Sequence, residues 1–201
     1  MVPPSNNENR NNRVSISNEE VQDLPLLAYS GKVAVVTTPE ALTKALSEAR
    51  KSGPLGFDTE TRPAFVKGQR FKVALIQLAS MDKVWLIRTQ STGYAEELIR
   101  FLEDESVLKI GVGLRDDLQA LHRVIKFQPG GFVELTQLTK TQGIEVESVK
   151  KLCGLLLGYR VSKSAQTSNW EAATLTEKQI EYAATDAWVC LLMYNQLPNL
   201  K

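Results

Sequence analysis

Two apolar runs of strand length, VALIQLAS (73–80) and KVWLIRT (83–89), stand so close together that the chain must fold back on itself between them. Ser80, Met81 and Asp82 make the turn, and the two runs pair as an antiparallel hairpin. Two more strands precede the hairpin: VAVV (33–36) and LGFDTE (55–60), the latter entered through Gly53-Pro54. Between them Thr38 caps a helix over PEALTKALSEARK, with Pro39 at the favoured first position. After the hairpin the pattern changes to alternation. YAEELIRFLED reads as an amphipathic helix, VLKIGVG (107–113) as a buried strand and RDDLQALHRVI as a helix. Beyond FVELTQL the chain reads as helical, through SVKKLCGLLLG to the closing segment TEKQIEYAATDAWVCLLMYNQL. Hairpin strands followed by alternation predict an α/β fold, a mixed sheet flanked by helices.

The polar tract from Met1 to about Gln22 is rich in Asn, Ser and Glu and can bury almost nothing, so residues 1–22 are expected to be a flexible tail or an embracing arm. No second linker or internal repeat interrupts residues 23–201, which are expected to form one domain. The chain has 201 residues, 43% of them hydrophobic, enough for one substantial core. A net charge of +1 gives no global field to attract a polyanion, so nucleic acid would have to be held by local groups or by metal ions. Cys153 and Cys190 form no C-x-x-C, which suggests free thiols in a reducing compartment. MVPPSNNENRNNR lacks the apolar stretch of a secretory signal, and no apolar run is long enough to span a bilayer. A cytoplasmic protein without a membrane partner is the expectation.

The chemistry begins in LGFDTET. Asp58 and Glu60 are two residues apart, so on a strand both carboxylates point to one face, where they repel unless a cation sits between them. They lie at the carboxyl end of a buried strand, where α/β folds collect their ligands. A further acid, Asp116 or Asp117, follows the next buried strand directly, in the first turn of a helix, where either could also serve the helix dipole. Asp186 lies in the closing helix, one turn after Tyr182 and on the same face. Carboxylates from three segments, without histidine or cysteine, suit two Mg²⁺ or Mn²⁺ ions in the arrangement that performs phosphoryl transfer.

In order and surroundings, DTE (58–60), GVGLRDDL (111–118) and YAATDA (182–187) resemble the three exonuclease motifs of the DEDD 3′–5′ exonuclease superfamily. The tyrosine four before the last aspartate marks the branch that includes ribonuclease D and the Werner syndrome exonuclease domain. VALIQLA, FVELTQL, SVKKLCGLLLG and SNWEAATLTEKQIEYAATDA extend the similarity from about Val33 to Leu197. The resemblance implies a ribonuclease H-like fold with a mixed five-stranded sheet whose first three strands are antiparallel. It implies a metal-dependent 3′–5′ exonuclease that acts on DNA or RNA 3′ ends and releases nucleoside 5′-monophosphates. Asp58, Glu60, Asp117 and Asp186 become the ligands of two Mg²⁺ or Mn²⁺ ions. Asp117 is chosen over Asp116 because the family's acid directly precedes the apolar residue at Leu118. Tyr182 would orient the attacking water.

The family pattern also brings the backbone near Thr59 and the side chain of Gln77 to the terminal nucleotide, and packs Leu114 against a base. Arg62, Lys67, Arg70 and Lys72, with Arg160 and Lys163 in a second cluster, could steer phosphates. Trp170 is read as an anchor for the loop before the closing helix, and His122 as a structural or surface residue. Two other functions compete. A non-catalytic nucleic-acid-binding module would have no metal to offset four clustered acids. A phosphatase using Asp58 as nucleophile lacks a convincing lysine motif.

Overall fold

The computed structural model describes residues 13–66 and 68–197. In chain order the elements are helix α1 (Asn18–Gln22), strand β1 (Lys32–Val36), α2 (Pro39–Arg50), β2 (Leu55–Thr61), β3 (Val73–Ala79), β4 (Lys83–Arg88), α3 (Thr89–Thr92) and α4 (Glu96–Glu103). They continue with β5 (Lys109–Gly111), α5 (Leu114–His122), β6 (Phe132–Glu134), α6 (Leu135–Lys140), α7 (Val149–Leu156) and α8 (Glu177–Gln196).

The strands form one mixed sheet in the order β1-β4-β3-β2-β5-β6. The central hairpin is present, closed by the Ser80 amide on the Lys83 carbonyl at 2.8 Å. The sheet has six strands where five were expected, because the three residues of β6 pair parallel with β5. The antiparallel trio is β2-β3-β4, the second to fourth strands of the chain, while β1 joins the far side of β4 in parallel. So short a strand as FVE shows no alternation of its own, and its place comes from a neighbour supplied by the fold.

Helices cover both faces. Leu55 and Phe57 of β2, with Ile76 and Leu78 of β3, pack into one core with residues of α2, α4 and α5. Leu75 and Ala79 belong to the opposite core, with residues of α7 and α8. The face of β2 toward α8 therefore reads Gly56, Asp58, Glu60, with no large side chain to hold the helix off. Thr38 caps α2 as the sequence indicates, accepting from the Ala41 amide.

Residues 1–12 of the expected tail lie outside the described residues. The remainder is structured up to Gln22: Ser17 and Glu20 form a capping box at the start of α1, and Ile16 and Val21 are buried. These residues and Leu24 pack against Gly154 of α7, where a methyl group would already touch all three side chains at 3.1–3.3 Å. Farther along, the Leu27 amide donates to the Arg160 carbonyl at 2.8 Å, and the Arg160 amide to the Pro25 carbonyl at 3.0 Å. Among the described residues no helix is long and apolar enough to cross a membrane.

Lys109 opens β5, wholly buried, with Nζ donating to the carbonyls of Phe101, Asp104 and Val107 at 3.2, 2.9 and 2.8 Å. The rings of Phe101 and Phe132 lie 5.5 and 5.0 Å from the ammonium. Burial pushes its pKa down to about 8. Protonation therefore costs stability below about pH 8, and that cost is relieved as pH rises toward the unfolded value of about 10.4. Lys109→Met should remove the charge but leave the Val107 carbonyl without a donor and those of Phe101 and Asp104 with only their backbone donors, destabilising the protein by about 1–3 kcal/mol. Chemical denaturation at neutral pH measures this, and an unchanged midpoint would show that the carbonyls need no donor.

Candidate active site

Three elements bring the acids together. β2 presents Asp58 and Glu60 side by side, and α8 lies across that face with Asp186 toward them. Carboxylate oxygens of Asp58, Glu60 and Asp186 all fall within 4.8 Å of one another. Asp117 approaches from the first turn of α5, and its Oδ1 accepts a 2.5 Å hydrogen bond from Thr59 Oγ1. Asp116, its neighbour, is exposed at the helix end. Gly113 makes the turn between β5 and α5 with φ of 76°, a left-handed conformation that suits glycine and aims the helix start at β2.

Asp58, Glu60 and Asp186 form the floor of an open cleft of about 290 Å³, whose lining does not include Asp117. Thr59 and Tyr182 line it, together with Ser148, Val149 and Lys150 at the start of α7 and Val161, Ser162, Lys163 and Gln166 in the loop after it. Ser148 and Lys150 lie in the SVKKLCGLLLG motif but, like Gln166, are not among the expected site residues; the packing of α7 against α8 and the loop after α7 bring them here.

Electrostatics in the cleft are dominated by shared negative charge in a partly desolvated place. Burial first, then the charges of Asp117, Asp186 and Glu60, raise Asp58 well above the usual carboxylate range. Burial followed by Asp186 and Asp117 does the same to Glu60. Asp117 and Asp186 are also raised, chiefly by burial. The Tyr182 phenol and the Lys163 ammonium oppose part of the shift at Asp186. Tyr182 itself is raised, by burial and then by the charge of Asp186. Its ring is held from behind by Trp170, wholly buried with ring centroids 5.9 Å apart. Arg88 fixes the same region by donating to the carbonyls of Ala172 and Ala173.

Other expected contacts fall elsewhere. Gln77 is 0% exposed on β3, does not line the cleft, and has no hydrogen-bond partner for its carboxamide among the described residues. It is the direct partner of Asp58 across β2 and β3, on the same face of the sheet, and is wholly buried there. Leu114 is buried in the opposite core, where a Cβ on Gly111 would meet its side chain. Arg160 spends its Nε on the Leu24 carbonyl at 3.0 Å, tying down the N-terminal segment, while Lys163 reaches the cleft. His122 is exposed and stacks on Phe127 with centroids 4.5 Å apart. Cys153 and Cys190 are free and buried, and burial raises both thiols.

Residues 33–200 match the family model described as 3′–5′ exonuclease. The mouse bifunctional 3′–5′ exonuclease/ATP-dependent helicase WRN is 36% identical over 190 residues, covering 89% of this chain and 13% of that protein. Ribonuclease D of Gluconacetobacter diazotrophicus is 28% identical over 167 residues, covering 81% of this chain and 42% of the relative. Among solved structures, Escherichia coli RNase D, an exoribonuclease involved in structured RNA processing, superposes with a TM-score of 0.74 at 25% identity. That similarity covers 83% of this chain and 44% of the other. The chain thus spans less than half the length of each of these three relatives.

Proposed function

Because the chain belongs to the 3′–5′ exonuclease family, we propose that it hydrolyses the terminal phosphodiester bond at nucleic-acid 3′ ends and releases nucleoside 5′-monophosphates. The observation that carries this reading is the set of Asp58, Glu60 and Asp186 oxygens within 4.8 Å of one another on the floor of an open cleft. An all-carboxylate donor set fits hard divalent cations, Mg²⁺ or Mn²⁺. Asp58, Glu60 and Asp186 would hold one ion, and Asp117 with Asp58 would hold a second. Two ions bound there would supply an activated water at neutral pH and neutralise charge developing on the leaving 3′ oxygen.

The chain's own groups do the positioning. Tyr182, with its raised pKa, keeps its proton throughout the neutral range, so it orients the attacking water by a hydrogen bond and does not serve as a base. Trp170 behind the ring limits its movement. Thr59 holds Asp117 by the short hydrogen bond and fixes that carboxylate's direction. Lys150 and Lys163 on the cleft wall offer cations to phosphate. A DNA or RNA 3′ end is proposed as the substrate, residues 23–201 as the exonuclease domain, and the cytoplasm as the setting.

A digestion panel tests the reading, using matched DNA and RNA oligonucleotides, single-stranded and recessed, blocked at either end. Stepwise loss of monophosphates from free 3′ ends with Mg²⁺ or Mn²⁺, abolished by chelator, is the expected result. Tight binding without any cleavage would favour the non-catalytic module instead. Tyr182→Phe should lower kcat by about ten- to hundredfold while calorimetric Mn²⁺ affinity stays at the parental value. An unaltered kcat would remove the water-orienting role.

A further inference from the structure

The connection between β2 and β3 holds four Lys or Arg residues and no Asp or Glu over residues 61–72, in a chain whose net charge is only +1. It leaves the sheet one residue after Glu60 of the acid cluster, and Phe65 follows five residues later, within roughly 17 Å of chain. Phe65 is 84% exposed and Val66 68%, more than any other large apolar residue described. Arg62, Arg70 and Lys72 are exposed around them. The base of the loop is nonetheless anchored: the Arg62 guanidinium lies 5.1 Å from the Phe71 ring centroid and 3.6 Å from the Glu171 carboxylate.

Beside this base opens a hollow of about 430 Å³ lined in part by Lys72, Gln90, Tyr94 and Glu171. It lies where β3 begins and β4 ends, and these termini share one edge of the sheet with the carboxyl end of β2 and its acids. Cleft, loop and hollow therefore run along a single edge. An exposed aromatic among cations, next to a site that takes a 3′ terminus, has the chemistry that binds unpaired nucleotides: bases stack on the ring and phosphates meet the cations. Duplex would leave no base face free for Phe65.

Resting on the nuclease reading above, we propose that this loop and hollow dock the single-stranded nucleotides just upstream of the bond to be cleaved, with Phe65 as the stacking platform and Arg62, Arg70 and Lys72 as phosphate contacts. Glu171 then serves as the internal counter-ion that holds Arg62 in place until a phosphate takes over.

The test uses the full chain with a fluorescent oligothymidylate of roughly twelve nucleotides, measured by anisotropy in chelator and by hydrolysis with Mn²⁺. Phe65→Ala should weaken metal-free binding and raise KM about tenfold, with an effect that shrinks as the substrate is shortened to a dinucleotide. Phe65→Trp should restore both. The double variant Arg70→Ala, Lys72→Ala should flatten the dependence of binding on salt concentration. Parental affinity and KM in Phe65→Ala would overturn the proposal, as would an equal effect at every substrate length. Loss of adhesion to phosphatidylserine vesicles in Phe65→Ala, with oligonucleotide binding intact, would overturn it in favour of a lipid surface. If the parent binds the oligonucleotide through Phe65 but cleaves nothing, the nuclease reading fails and the docking site stands.

Discussion

Asp58→Asn should reduce metal-dependent hydrolysis by about a thousandfold or more, and at the same time make the metal-free protein more stable. The first effect follows from removing one ligand charge from a site whose rate depends on cations worth several kcal/mol to the transition state. The second follows from the geometry of the cluster. Asp58 is raised by burial first and by three neighbouring carboxylates next, so ionising it in the empty site is unfavourable. An acid with a raised folded pKa binds its proton more tightly in the native state. Its contribution is therefore fully present below the unfolded value of about 4 and is lost as pH rises through the folded value. In chelator, the thermal midpoint of the parent should fall from acid toward alkaline pH relative to Asp58→Asn, the two curves diverging as the cluster ionises. Mn²⁺ should close the gap by raising the parent more than the variant. A destabilised Asp58→Asn in chelator would mean that Asp58 serves the fold and not a cation, and full activity would remove it from the site. Asp186→Asn should behave in the same way.

That trade between function and stability explains which features could be read from the sequence alone. Asp58 and Glu60 were legible because a strand has a period of two, so D-x-E necessarily places both carboxylates on one face. Tyr182 and Asp186 were legible because helical spacing fixes their relation, and the glycine turn before Asp117 marks where α5 starts. Choosing Asp117 over Asp116 needed the family pattern, since either acid suits the first turn of a helix; the structure leaves one exposed and hydrogen-bonds the other. Gln77 shows what pattern omits. Its position opposite Asp58 is a matter of register, and the burial of the whole of β3 leaves it out of the cleft lining. Arg160 likewise reads as a loop cation, and only the N-terminal segment folding back reveals the carbonyl that claims it. Ser17 and Glu20 form a capping box within a stretch whose composition looked disordered, and the segment is ordered because Val21 finds a glycine on α7 to pack against.

Gly56→Ala should be among the most damaging single-methyl changes at the described residues. A Cβ on Gly56 would lie 1.8 Å from the Ala187 carbonyl oxygen and 2.7 Å from its carbon, and both belong to the α8 backbone, which no side-chain rotation can clear. Restoring contact distance requires β2 and α8 to part by about 1.5–2 Å. Ala183, Ala184 and Ala187 are all wholly buried on the helix, so the close approach is built from both sides. Asp186 is the residue next to Ala187, and Asp58 is two beyond Gly56. Any separation there opens the carboxylate cluster directly. Overpacking against backbone should cost about 3 kcal/mol, a drop of roughly 6–12 °C in thermal midpoint. Displacement of the ligands by more than an ångström should lower the rate about a hundredfold in whatever fraction folds. Gly53→Ala provides the comparison. Gly53 has φ of 79° but nothing within 4 Å of its Cβ, so it should lose only about 1 kcal/mol to strain and keep the parental rate. If Gly56→Ala folded with the parental rate and midpoint, α8 could not be held at the distance that closes the site, and the cluster would have to be positioned by something other than this contact.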